Sequence, residues 1–496
     1  MNIIDNDLLS IQEARILAEN AREAQKQLAA FPQKKLDEIV ERISEEIFKH
    51  IRELAMLSSE ETDYGRWQDK YIKNKFVCEY LRTRLREMTC VGIIAEDAQK
   101  KTMDIGVPIG VIIGLCPATS PVSTTIYKAL IAIKSGNAII FSPHPRAKNT
   151  IGKTLDIIIR AAEGYGLPEG ALSYLHTLTR SGTLELINHS ATSLIINTGV
   201  SRLLQASYNS GKPVIYGGNG NGPVFIERTA DVRQAVRDIL DSKSFDHGVV
   251  AGAEQSVVVD RSIAAEVKRE FQSSGAFFMT KDEEQKLISV LFRSDGSIAS
   301  EMIGKSAQEL AKRAGFFVSD NTSVLVSEQK YVSATNPFSK ELLCPVLAYY
   351  IEDDWMNACE KCIELLINEK NGHTLVIHSR DEMVIRQFAL KKPVARILVN
   401  TPATFGSMGA TTNLFPAMTL GSRSAGAGIT TDNVSPMNLI YIRKVGYGVR
   451  KTEEITNEGL IEEKAPTASV QSNSSLEDMQ ILKNILINAL ADESIG

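Results

Sequence analysis

Several short stretches of this chain hold residues able to do chemistry. Ser142 and His144 lie in FSPHP, directly after an apolar run, with His144 held between two prolines. Thr198 and Gly199 close another such run, SLIINTG. If the first run is a strand of a parallel sheet, Ser142 and His144 lie at its carboxyl end, where a doubly wound sheet binds ribose and phosphate groups. His144 is equally compatible with a rigid surface turn. His373 follows a glycine in GHT; its imidazole titrates near neutrality, which suits proton transfer, although a lone histidine is often structural. The glycine run GGNGNG, residues 217–222, invites a dinucleotide-binding label. It falls between VIY and PVFIE, however, so it joins two strands and does not open a helix, and the label is weak. Cys359 and Cys362 form a CxxC inside the helical pattern ACEKCIELLI with no second ligand pair, so reduced cysteines are expected and no metal site.

The elements that must position these residues are legible in coarse form. Residues 8–86 read as helical, and the first helix places Leu9, Ala14, Ile16, Leu17, Ala21 and Ala24 near one stripe. MTCVGIIAE and KKTMDIGVP flank a polar turn, which predicts a hairpin over 88–108. GVIIGLCP, NAIIFSP and SLIINTG follow as buried strands separated by helices at 124–134, 150–165 and 203–210. Continuous apolar strands spaced by helices imply α/β architecture with a parallel sheet covered on both faces. A second such pattern starts near Asp231, with helices at 232–243, 263–273 and 282–292 and strands QSVVVD, VLAYYIE, TLVIHS and RILVN. NLIYIRKVGYGV, 438–449, reads as an edge strand. The expected organisation is therefore 1–230, 231–433, a strand within 434–450, a linker at 451–475 and a terminal helix within 476–496.

Bulk composition narrows the class. With 496 residues, 43% hydrophobic and 23% charged, the chain can bury a large core in two or three domains. A net charge of -5 leaves no nucleic-acid footprint. The start MNIIDNDLLSIQEA lacks the features of a signal peptide, and no apolar run has the length of a membrane span, so a cytoplasmic protein is expected.

One segment specifies more. SFDHGVVAGAEQSVVVD, 244–260, resembles the FDNGxxCxSEQS segment of CoA-acylating aldehyde dehydrogenases, which convert an aldehyde, NAD and coenzyme A into an acyl-CoA. Phe245, Asp246, Gly248, Glu254, Gln255 and Ser256 match, and Ala251 occupies the cysteine position. GVPIGVIIGLCPATSP, IKSGNAIIFSPHP, NTGVSRLLQASYNSGKPV, YGGNGNGP, ELLCPVLA, GHTLVIHS and LVNTPATFG extend the resemblance over roughly 8–450 in family order. It implies two doubly wound α/β domains plus an oligomerisation hairpin. It also implies NAD as cofactor, coenzyme A as cosubstrate and a short aldehyde, acetaldehyde foremost, oxidised through a thiohemiacetal. Further implied roles are an oxyanion held by the Ala251 N–H and by Thr119 or Ser120 of the PATSP loop, and cofactor contacts from Pro117, Ser142, His144, Thr198, Gly199, Gly218 and Glu341. His373 is the implied base for the coenzyme A thiol. The chain departs from the family at Val200, which replaces the second glycine of TGG, at Asn219, which replaces a proline, at Ser120, where many relatives carry Asn, and at SRS, 422–424.

Alanine has no lone pair to attack with, so the chain is expected to lack turnover. It is then either an active enzyme altered at that one position or a naturally non-catalytic cofactor-binding or scaffold protein. The terminal segment bears on its partners. EEKAPTASVQSNSS has linker composition, and after Ser475 the residues Leu476, Met479, Leu482, Leu486 and Ala489 form one apolar face with Lys483 its one basic residue. Such a helix either docks on its own domain or resembles the encapsulation peptides that load enzymes into bacterial microcompartments. By the same resemblance a homodimer or homotetramer forms when the hairpin and the 438–449 strand pair across subunits.

Overall fold

The computed structural model describes residues 5–218, 220–368, 372–422, 428–452 and 454. The linker and terminal helix expected beyond 454, Asn219 and most of SRS lie outside the described residues. Four helices open the chain: Asn6–Leu28, Gln33–Phe48, Ile51–Thr62 and Trp67–Lys75. The Asp5 carboxylate caps the first by accepting from the Asp7 and Leu8 N–H groups at 2.9 and 3.1 Å. Its buried seam is Ala14, Ala18, Ala21, Ala24 and Leu28, while Leu9 and Ile16 are exposed, at 49% and 50%. Those two residues therefore do not belong to the packed stripe. Small side chains set this face because the helix lies close against helix Arg180–Asn188.

Fifteen strands follow among the described residues, numbered in chain order: β1 Gly92–Asp97, β2 Thr102–Pro108, β3 Val111–Leu115, β4 Ile139–Ser142, β5 Leu172–Tyr174, β6 Thr192–Thr198, β7 Val214–Gly217, β8 Gly222–Ile226, β9 Glu254–Asp260, β10 Ala276–Phe278, β11 Val324–Glu328, β12 Val346–Glu352, β13 Thr374–His378, β14 Arg396–Val399 and β15 Ile440–Gly446. The first α/β sheet has the order β5-β4-β3-β6-β7, parallel throughout. Strand order reverses between β3 and β6, the switch point at which such sheets open a crevice. The second sheet is β10-β11-β12-β9-β8-β13-β14, also parallel. Doubly wound α/β architecture is thus what the apolar runs require: β3, β4 and β9 are buried at every position.

The boundary between the two sheets moves relative to the sequence reading. β8 pairs with β9 and β13 in the second sheet, so the chain crosses at 218–221, not at 230 and 231. A buried apolar strand carries no mark of which sheet it will join.

β1 and β2 form the expected antiparallel hairpin, in register from Gly92↔Gly106 to Asp97↔Thr102 with an irregularity between Ile93 and Ala95. β15 lies beside β2 in the same chain, and Lys444 reaches Asp104 at 2.7 Å. The hairpin and the C-terminal strand thus meet in one sheet within a single chain. Among the described residues, 98–101 and 446–452 with 454 form a separate small unit, in which the Tyr447 N–H donates to the Lys101 carbonyl at 3.1 Å. Among the described residues no helix is long and apolar enough to cross a membrane. Cys359 and Cys362 are buried in helix Trp355–Asn368.

Candidate active site

The loops after β3 and β6 flank the switch point, and the loop before β9 faces them. Between them lies a cleft of about 80 Å³ lined by Pro117, Thr119, Ser120, Thr198, Gly199, Gly218, Ala251 and His373. Eight residues singled out in the sequence thus converge although they are spread over more than 250 positions. Val249, Val250, Met408, Met418 and Leu420 supply apolar walls that the sequence reading did not name.

The segment leading to Ala251 is held in an unusual backbone. Asp246, His247 and Gly248 have φ of 49, 52 and 73°, three left-handed residues in succession. For a non-glycine residue this conformation is costly and needs surrounding bonds to enforce it. A buried charge network supplies them. The Asp246 carboxylate accepts from Lys73 Nζ at 2.6 Å, from Lys70 Nζ at 3.1 Å and from the Arg66 N–H at 2.8 Å. The Asp246 N–H donates to the Asp69 carboxylate at 2.7 Å. Burial pushes the Asp246 carboxyl up, but the two ammonium groups outweigh it and hold it below the usual carboxylate range. Burial lowers Lys70 to about 8 even beside Asp246.

The same lysines reach the PATSP loop. Lys73 Nζ donates to Ser120 Oγ at 2.7 Å, and Lys70 Nζ donates to the Thr119 carbonyl at 3.1 Å. Ser120 stands at the N-cap of helix Pro121–Lys134, yet its side chain makes no capping bond. An ammonium has no lone pair, so Ser120 Oγ accepts from Lys73 and keeps its own proton for another acceptor. Of the residues in this network, the sequence reading noted Asp246 only as a motif match.

His373 is fully buried, with Nδ1 beside Thr374 Oγ1 at 2.7 Å. Its Nε2 lies toward the Ala251 carbonyl but makes no hydrogen bond of sound geometry among the described residues. Burial, reinforced by Arg396, lowers its pKa to about 3. An imidazole titrating near neutrality, as the sequence suggested, is therefore not what the fold provides: His373 is neutral, and because a carbonyl only accepts, the Nε2 facing Ala251 carries the ring proton while Nδ1 faces Thr374 Oγ1. Gly220 separates it from the loop, since a Cβ there would lie 1.7 Å from the Ala251 carbonyl oxygen and 2.6 Å from His373 Nε2. Only glycine fits.

Glu341 is not among the cleft's lining residues; its carboxylate accepts from the Gly220 N–H at 2.7 Å. Glu254, three residues beyond Ala251, is buried with Oε1 accepting from the Ala403 N–H at 2.8 Å and Oε2 without a partner among the described residues. Thr198 and Gly199 give room more than donors. The Gly199 N–H is spent on the Gly217 carbonyl at 2.8 Å and the Val200 N–H on the Asn197 side chain at 3.0 Å.

Ser142 and His144 lie apart from this cleft, in a second cavity of about 420 Å³ at the carboxyl ends of the first sheet. Ser142 Oγ is 2.8 Å from Thr183 Oγ1, and His144 Nδ1 accepts from the Arg146 N–H at 3.1 Å, which puts the ring proton on Nε2. Cys116 lines this second cavity and not the first; it is fully buried and its thiol is pushed up by burial. It is no substitute for a nucleophile at 251.

Comparison with known proteins shows the family to which the chain belongs. Residues 5–286 match the model of the aldehyde dehydrogenase family. The bifunctional aldehyde-alcohol dehydrogenase of Escherichia coli is 37% identical over 441 residues, 88% of this chain but 49% of that protein. The chain thus spans about half the length of the bifunctional relatives it matches. The acetylating succinate-semialdehyde dehydrogenase of Clostridium kluyveri is 32% identical, covering 88% of this chain and 96% of its own length. Among solved structures, a probable aldehyde dehydrogenase from Listeria monocytogenes has TM-score 0.89 and 46% identity, covering 91% of this chain and all of its own (100%). An acetylating aldehyde dehydrogenase from Geobacillus thermoglucosidasius has TM-score 0.88 and 40% identity, with 90% and 99% covered. A propionaldehyde dehydrogenase from the fucose utilisation microcompartment of Clostridium phytofermentans has TM-score 0.78 and 26% identity, with 87% and 96% covered.

Proposed function

Because the chain belongs to the aldehyde dehydrogenase family, we propose that its site is built for CoA-acylating oxidation of a short aldehyde and that Ala251 removes the covalent step. The observation that carries this reading is the placement of Ala251: at the end of a left-handed loop, across the switch-point cleft from Ser120, with His373 beside its carbonyl. A cysteine at this position would add through its thiolate to the aldehyde carbon and make a thiohemiacetal oxyanion. The N–H of residue 251 donates to no group among the described residues and so is available to that oxyanion. Ser120, whose oxygen already accepts from Lys73, has its proton available too.

A nicotinamide dinucleotide bound along the carboxyl ends of the first sheet would supply the hydride acceptor. The residues there fit such a group: a cavity of about 420 Å³ with apolar walls and guanidinium groups, reached through Ser142 and His144. Coenzyme A would release the acyl group through its thiol. Burial lowers His373 to about 3, so it stays neutral beside that thiol and positions it more than it deprotonates it. The cleft has no Lys or Arg among its described lining residues, which favours a neutral aldehyde such as acetaldehyde over an anionic one.

NADH formation from acetaldehyde, NAD and coenzyme A tests the reading, comparing this chain with Ala251→Cys. Loss of a covalent nucleophile costs on the order of a millionfold, so the variant should exceed the parent by several orders of magnitude. If both stay silent across short aldehydes, the non-catalytic alternative replaces this one. We place the protein in the cytoplasm, as microcompartment cargo carried by the segment at 462–496. Deleting that segment should abolish loading into shells and leave nucleotide binding intact; loading that survives the deletion rules the segment out.

A further inference from the structure

The cavity that holds Ser142 and His144 has a charge pattern that plain NAD does not call for. Three arginines line it, Arg146, Arg180 and Arg202, together with apolar walls from Leu178, Val200 and Leu203. None of the three is in an ion pair among the described residues; Arg146 lies over the Tyr64 ring, 5.0 Å from its centroid. No Asp or Glu is among the described lining residues. Glu61, which reaches the adjoining turn, is spent accepting from the Asn149 and Thr150 N–H groups at 2.8 and 2.7 Å. A dinucleotide site selective for an unmodified ribose offers a carboxylate to the 2′-hydroxyl, whereas arginine at that place accommodates a phosphate. His144 senses the same potential. Burial lowers its pKa first, and the charges of Arg146 and Arg202 lower it further.

The cavity's position is right for the adenosine end of such a ligand. It sits at the carboxyl ends of β3 and β4, beside the turns that follow β5 and β6, next to the cleft that holds Ala251. Thr179 caps helix Arg180–Asn188 at this edge, so its positive end adds to the arginines. We infer that this cavity binds an adenosine bearing a ribose phosphomonoester and selects for that phosphate through Arg180 and Arg202. The inference rests on the nucleotide-binding reading above and goes beyond it. Two reactants of the proposed reaction carry the group: the 2′-phosphate of NADP and the 3′-phosphate of coenzyme A. The guanidinium pair gives planar, charge-assisted bonds to either.

With alanine at 251 all reactants can be titrated without turnover, so the test is direct binding by calorimetry to the full chain. The ligands are NADP+ against NAD+, and coenzyme A against 3′-dephospho-coenzyme A. An advantage of about tenfold or more for NADP+ identifies the 2′-phosphate as the source; the same advantage for coenzyme A identifies the 3′-phosphate. Either advantage should shrink to within about twofold in Arg180→Gln/Arg202→Gln and weaken with added salt. Because both arginines are exposed, the double variant should fold, and the ligand series on the unaltered chain stands without it. If NAD+ binds as tightly as NADP+ and dephospho-coenzyme A as tightly as coenzyme A, the selection is refuted while the nucleotide site stands. If no nucleotide binds at all, the inference and the cofactor reading fail together.

Discussion

Ala251 draws attention first, yet the residue three positions on makes the sharper physical prediction. Burial raises Glu254 to about 7, although the neighbouring Ser242 hydroxyl, the Ala403 N–H and Lys243 pull it down. Its unfolded value is near 4.3, so between roughly pH 4.3 and 7 the folded state binds the extra proton and stability falls as pH rises. The accumulated loss is roughly 4 kcal/mol and levels off above pH 7. His373 works in the opposite sense. With a folded pKa of about 3 against about 6.5 unfolded, the unfolded state binds the extra proton in that window. Stability there rises with pH. The two slopes oppose each other over much of the acid range. Glu254→Gln keeps an acceptor for the Ala403 N–H and removes the charge. It should raise Tm at pH 8, leave it near the parent's at pH 4.5, and expose the His373 slope between. Thermal scans across this range decide it; an unchanged pH profile would mean that Glu254 is not carrying its proton as proposed.

At the scale of the element, helix Trp67–Lys75 shows why the sequence spoke for the strands and stayed silent on the site's supports. It buries Asp69, Lys70, Lys73 and Asn74 and leaves Ile72 48% exposed, the reverse of an ordinary amphipathic helix. A reader of hydrophobic periodicity turns such a helix the wrong way round, because its buried face is paid for by Asp246 about 170 residues downstream. β3, β4, β9 and β12 were legible because they are continuous apolar runs. β5 and β10 were not, being three-residue edge strands too short to show a period. The cleft residues were found through motif resemblance; the charges behind them had no such signal. Asp246→Asn would take from Lys70 and Lys73 the carboxylate that bonds both, and breaking a buried pair in this way costs about 3–5 kcal/mol. The expected outcome is a clear fall in Tm. Lys73→Met should cost less, since Lys70 still neutralises Asp246. In an Ala251→Cys background it should depress kcat more than KM, because Ser120 would lose the partner that orients it. A parallel change in both parameters would make Lys73 a stabilising residue and nothing more.

At the scale of the whole molecule, the sheet β1-β2-β15 is the part that a single chain leaves unfinished. Across its three strands only Gly106 and Ile440 are buried. Ile93, Tyr441 and Ile442 are 57%, 58% and 46% exposed, and as neighbours in one strand Tyr441 and Ile442 point to opposite faces. A three-stranded sheet gains independent stability by covering an apolar face, and this one covers neither. Its edges are also open to pairing. A second copy of the chain is the simplest cover, so the protein should be a homodimer or homotetramer in solution. Ile93→Asp with Ile442→Asp places charge on the uncovered surface and leaves the two large parallel sheets untouched. Light scattering behind size exclusion should show the parent as an oligomer and the double variant shifted toward monomer, with circular dichroism preserved. A monomeric parent would sink the idea at once. An oligomer indifferent to both aspartates would move the interface to another face and leave this sheet in need of a different partner.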